Sequence, residues 1–100
     1  MEGRAFAAHD SRQLRYRFPF GAVTEGERIT LNIDCGADVR NAKLRIWTEG
    51  RERIEHGVRT DAGFSFTFYA GTSGLEWYYF LLDTDEGGYI LGLSLIHISE

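Results

Sequence analysis

The sequence predicts an all-β fold, and three observations carry that expectation. Apolar residues recur with period two along most of the 100-residue chain. Glycine-containing turn clusters break the runs at short, regular intervals. No segment shows the i, i+3, i+4 spacing of an amphipathic helix. Short strands with turns at this spacing predict an immunoglobulin-like antiparallel β-sandwich of about seven or eight strands.

The elements follow in order. Leu14, Tyr16 and Phe18 alternate with Arg15 and Arg17, which predicts a strand with its aromatic side inward. The single proline, Pro19, and then Gly21 make a corner after it, because proline fixes φ and glycine permits the bend. Ile29, Leu31 and Ile33 alternate with Thr30, Asn32 and Asp34. Ala42, Leu44 and Ile46 alternate with Lys43, Arg45 and Trp47. Phe64, Phe66 and Phe68 alternate with Ser65, Thr67 and Tyr69. Glu25-Gly26, Glu49-Gly50, Asp61-Ala62-Gly63 and Gly71-Thr72-Ser73-Gly74 are the turns between runs.

The run from Leu75 to Leu82 is apolar on both sides. Leu75, Trp77, Tyr79 and Leu81 form one side; Tyr78, Phe80 and Leu82 form the other. Such a strand is either central or has its second face covered by something else. Tyr78 and Phe80 are the expected docking rings, leaving an apolar patch on the isolated chain. Asp83 to Gly88 then reads as an acidic hairpin loop, lacking the length and ligand spacing of an EF-hand.

One domain, residues 1–92, is expected, with residues 93–100 set apart as an anomalous tail. Ser94 to Glu100 looks like a translated adapter or cloning scar; alternatively, Leu91, Leu93 and Leu95 prolong the last strand.

Composition excludes several function classes. A net charge of −4 with no dense Lys/Arg run argues against nucleic acid as a partner. No apolar run approaches the ~20 residues of a membrane helix. Met1-Glu2-Gly3-Arg4 carries no apolar leader core, so cytoplasmic residence is expected. Cys35 is the one cysteine; no internal disulfide can form, and it reads as a packed small residue. No cofactor fingerprint and no zinc spacing occur, so neither cofactor nor metal is expected.

No catalytic residue is assigned. His9-Asp10-Ser11 holds the residue types of a hydrolytic triad, but triad members converge from separate segments. Asp10 and Ser11 read as turn caps, and His9 as a group that bonds locally or faces a neighbouring domain. Trp47 lies on the polar side of its strand, where an indole can stack on the apolar face of a sugar ring or pack on arginine stems. Tyr69 is the second candidate for sugar contact, and Tyr78 a weaker one of the same kind.

Five blocks occur in a recognisable order: His9-Asp10-Ser11; Tyr16-Arg17-Phe18-Pro19-Phe20-Gly21-Ala22-Val23; Gly26-Glu27-Arg28-Ile29-Thr30-Leu31; Ala42-Lys43-Leu44-Arg45-Ile46; and Gly74-Leu75-Glu76-Trp77-Tyr78-Tyr79-Phe80. Together they resemble the N-terminal immunoglobulin-like domain of glycoside hydrolase family 13 enzymes such as neopullulanases, cyclomaltodextrinases, maltogenic amylases and amylopullulanases. Those domains are similar to carbohydrate-binding module family 34. The resemblance spans residues 5 to 92; its first and last blocks are the specific ones. It implies an accessory domain of an α-glucan hydrolase that docks the catalytic domain, assembles a homodimer, or binds α-glucan or maltooligosaccharide. The family's catalytic carboxylates project from a (β/α)₈ barrel of about 250 residues, which this chain does not contain. The implied parent is a longer enzyme. The competing expectation is an immunoglobulin-like structural or protein-interaction module unrelated to carbohydrate.

Overall fold

The computed structural model describes residues 7–10, 15–19, 21–48, 50–71 and 74–99. The readings that fall on Met1 to Arg4, Ser11, Leu14, Phe20, Glu49, Thr72, Ser73 and Glu100 lie outside the described residues. Among the described residues there are ten strands and no helix. They are β1 (Ala7–Ala8), β2 (Arg17–Phe18), β3 (Val23–Thr24), β4 (Arg28–Cys35), β5 (Val39–Thr48), β6 (Arg51–His56), β7 (Val58–Arg59), β8 (Gly63–Tyr69), β9 (Gly74–Thr84) and β10 (Gly87–Ser99).

They form two sheets. The first has the order β1-β4-β8-β7, with β2 also pairing on β4. The second has the order β3-β10-β9-β5-β6. All pairings are antiparallel except β3 with β10. The arrangement is a β-sandwich.

Period two explains the core. Ile29, Leu31 and Ile33 on β4 face Phe64, Phe66 and Phe68 on β8; Ala42, Leu44 and Ile46 on β5 lie beside Tyr78, Phe80 and Leu82 on β9. All twelve are at most 4% exposed. At roughly 25 cal/mol per Å² of apolar surface removed from water, this shared layer is the main stabilising term.

Two expectations about strand faces are corrected. Arg17 is buried and Phe18 is 61% exposed, so β2 presents the opposite face from the one its aromatic pattern predicts. The Arg17 guanidinium donates to the carbonyls of Leu95 (3.1 Å) and Gly21 (3.0 Å), and thereby ties the first sheet to β10 of the second. The hydrogen bonds decide the inward placement. After it, the Phe18–Pro19 peptide is cis and Gly21 has φ of 78°.

On β9 the inward side is Glu76, Tyr78, Phe80 and Leu82, and the outward side holds Leu75 and Trp77. Tyr78 and Phe80 are 1% and 0% exposed. Their expected role as an outward docking patch is therefore corrected: both rings fill this chain's own core. Phe80 lies 5.2 Å from Phe66 across the sandwich.

Residues 93–99 continue β10. Its register shifts between Leu91 and Ser94, where Gly92 has φ of 67°. A bulge reverses which side points inward. Past it, Ile96 and Ile98 are buried and Leu93 and Leu95 face out. The acidic loop is a tight β9–β10 turn at Asp85-Glu86, closed by the Thr84 hydroxyl donating to the Gly87 carbonyl (3.0 Å).

Candidate functional site

The second sheet sets the outward face. On β5, burial of Ala42, Leu44 and Ile46 turns Lys43, Arg45 and Trp47 outward. Pairing then aligns rows across the sheet: Glu52, Trp47, Trp77 and Leu95 form one row, and Ile54, Arg45 and Tyr79 form the next. Three aromatic rings thus become contiguous. The Trp47 and Trp77 indoles stack at 6.4 Å between centroids and 20° between planes, and Trp47 meets Tyr79 edge-on at 5.3 Å.

Arg45 locks the group. Its guanidinium lies 4.8 Å from the Trp47 ring centre and 5.5 Å from that of Tyr79. It donates to the Tyr79 hydroxyl (2.7 Å) and is paired with Glu52. The hydrogen bond to Tyr79, then that to Glu52, pushes the Arg45 pKa further up. Trp77 remains 39% exposed, so an indole face stays open to a partner.

Trp47 also lines a cleft of about 490 Å³ with Arg51, Glu52, Arg53 and Glu76. Glu76 is 5% exposed, sits at the end of the core, and is 3.3 Å from Arg53. Arg53 in turn donates to the Tyr69 carbonyl across the sandwich (3.2 Å). A Cβ at position 71 would come within 3.0 Å of Glu76 Oε2, so glycine there lets the backbone pass close to the carboxylate. At the other end of the outer face, Asn41, Lys43, Asp83 and Tyr89 border a smaller cleft of about 270 Å³.

The remaining expected site residues fall elsewhere. Tyr69 is 60% exposed, but on the outer side of the first sheet, so the structure does not bring it to Trp47. His9 does not face outward to a neighbouring domain. Its Nδ1–H donates to the Asn32 carbonyl (2.8 Å), and the Tyr78 hydroxyl donates to its Nε2 (3.0 Å). Burial pushes the His9 pKa down despite the bond to Asn32, which keeps the ring neutral and fits that tautomer. Burial likewise raises the Cys35 pKa, so its thiol is a poor nucleophile at neutral pH.

Trp77 and Tyr79 are the site residues that sequence reasoning did not single out, having taken Tyr78 and Phe80 as the docking rings of this strand. The available signal was the phase of β5: once Trp47 points outward, its cross-strand partner must too. What hid it was Glu76, which made the true inward side of β9 look polar.

Chemically, this arrangement offers stacking and hydrogen-bonding groups. The two cleft carboxylates, Glu52 and Glu76, are each engaged by an arginine. Among the described residues no group of three His, Cys, Asp or Glu is placed to hold a metal ion, and no helix is long and apolar enough to cross a membrane. A flat aromatic surface edged by guanidinium and carboxylate groups matches a ligand with one apolar face and a hydroxylated rim.

No protein-family model matches the chain, and no curated protein matches it. Among solved structures, it is similar to an engineered protein determined by crystallography by the Northeast Structural Genomics Consortium, at 12% identity and a TM-score of 0.60. The match covers 97% of this chain and 20% of that one. At that identity the likeness concerns the fold alone.

Proposed function

We propose that this chain is a non-catalytic, immunoglobulin-like accessory module of an α-glucan-acting glycoside hydrolase, and that its outer sheet face contacts α-glucan. The observation that carries the reading is the contiguous Trp47, Trp77 and Tyr79 group, braced by Arg45, with Trp77 the exposed ring. Pyranose rings present axial C–H groups that stack on such a surface, while their hydroxyls reach flanking charged groups. The strand orders support the finer fold assignment: β1-β4-β8-β7 and β5-β9-β10 match the four- and three-stranded sheet orders of immunoglobulin domains, with β6 and β3 added at the two edges of the second sheet and β2 beside β4 on the first. The ordered sequence blocks support the hydrolase parent.

The test is a titration of the ¹⁵N-labelled chain with maltooligosaccharides. The Trp47 and Trp77 indole N–H resonances should shift together and saturably. Unmoved indole resonances at millimolar sugar would remove the glucan contact.

A second reading has one observation in its favour. Leu93 and Ile90 are 61% and 69% exposed and extend the apolar surface beyond the aromatic rings. In that reading the same face docks another protein domain, such as the parent enzyme's catalytic barrel. Sugar and domain would then compete for Trp77, and only the second would also protect Ile90 and Leu93 from solvent.

A further inference from the structure

The second sheet ends in an open edge. β6 pairs with β5 on one side and with no described strand on the other. Gly57 N–H donates to the Ala42 carbonyl at 3.0 Å, which fixes the alternation along this pair. Glu55, Arg53 and Arg51 turn their backbone groups toward β5, so Glu52, Ile54 and His56 turn theirs to the open side. An exposed strand edge of this kind is a template for pairing, and inward-pointing charges such as Arg53 and Glu55 ordinarily discourage it.

We propose that β6 pairs antiparallel with β6 of a second copy of this chain, in the register centred on Ile54. In that register Ile54 faces Ile54, Arg53 faces Glu55, and Glu52 faces His56, so every charged side chain between 52 and 56 meets a complementary group. The outward-turned backbone groups of Glu52, Ile54 and His56 also meet outward-turned groups. Shifting the centre to Arg53 sets arginine against arginine; shifting it to Glu55 sets glutamate against glutamate. Shifting by a single residue sets Glu52 against Glu55 in one direction and Arg53 against His56 in the other, and in both it mismatches the backbone donors. Charge therefore selects one register, where most edges use it to reject all.

The product is a ten-stranded sheet with its two-fold axis perpendicular to the sheet at Ile54. The axis leaves both outer faces on the same side, so the two Trp47–Trp77 surfaces lie side by side. The inference does not depend on what those surfaces bind.

The test uses the whole chain in a Cys35→Ser background. In a hydrogen-bonded antiparallel pair, opposed Cα atoms lie about 5.5 Å apart, within disulfide range. Ile54→Cys should therefore give a covalent dimer under mild oxidation. His56→Cys should not, since the two copies of position 56 are four residues out of register, about 13 Å. Glu55→Lys, which opposes Arg53, should raise the dimer dissociation constant roughly tenfold in sedimentation equilibrium. Equal cross-linking at positions 54 and 56, or none at position 54, overturns the proposal. So does a Glu55→Lys chain that stays folded by circular dichroism and associates as before.

Discussion

Trp47 on β5 and Trp77 on β9 occupy directly opposed positions of the second sheet and stack at 6.4 Å on its outer side. Thirty residues apart in sequence, they become one surface through register alone. Replacing either should separate binding from folding. Trp77→Ala should lower stability by about 1 kcal/mol, the worth of one cross-strand aromatic pair. It should also weaken maltooligosaccharide binding about tenfold, equivalent to ~1.4 kcal/mol. Urea unfolding and fluorescence titration measure the two effects separately.

Neutral His9 is part of the fold. Its folded pKa lies below the ordinary value of 6.5, chiefly through burial. Above that pH both states carry a neutral ring and the stabilisation is complete. As pH falls below 6.5, the unfolded chain takes up a proton that the folded chain resists, so stability is lost progressively toward the folded pKa. His9→Gln should flatten this part of the pH–stability curve. In the folded protein the His9 ring, followed by NMR, should titrate with a midpoint below 6.5.

Arg17 stitches the two sheets through the carbonyls of Leu95 and Gly21. Arg17→Met keeps the stem and removes the fork, leaving two acceptors in a part-buried site. The expected loss is about 2 kcal/mol in urea unfolding. Arg17→Lys should recover less than half of it, because an ammonium cannot reproduce two separated donors.

Phe80 decides which side of β9 faces in. Phe80→Ala should cost about 3–5 kcal/mol, as expected for an aromatic ring removed from a packed core. A cost below about 1 kcal/mol would mean that the ring faces outward.

The opening block has a structural meaning. His9 is joined to Asn32 and Tyr78, and Tyr16 donates to Asp34 Oδ2 at 2.6 Å, a bond that raises the Tyr16 pKa. His9, which the sequence left as a local bond or an outward contact, anchors the β1 end to β4 and β9, and Tyr16 adds a second tie to β4.

The sequence by itself determined the strand-rich class and the inward faces of β4, β5 and β8. Over residues 29–34, 42–46 and 64–68 apolar and polar residues alternate strictly, so burial of those stretches has a single solution. It also set Trp47 on the polar side of β5, in phase with Lys43 and Arg45, while the orientation of its ring came from the structure. Only the tertiary structure decided the faces of β2 and β9, where a buried charge breaks the pattern. Arg17 turns inward because the carbonyls of Leu95 and Gly21 accept from it, and Glu76 because Arg53 reaches it from β6. Leu95 and Arg53 are distant in sequence from the residues they hold. The same physics explains the site: Trp77 joins Trp47 through a long-range register, which a one-dimensional pattern of hydrophobicity does not contain.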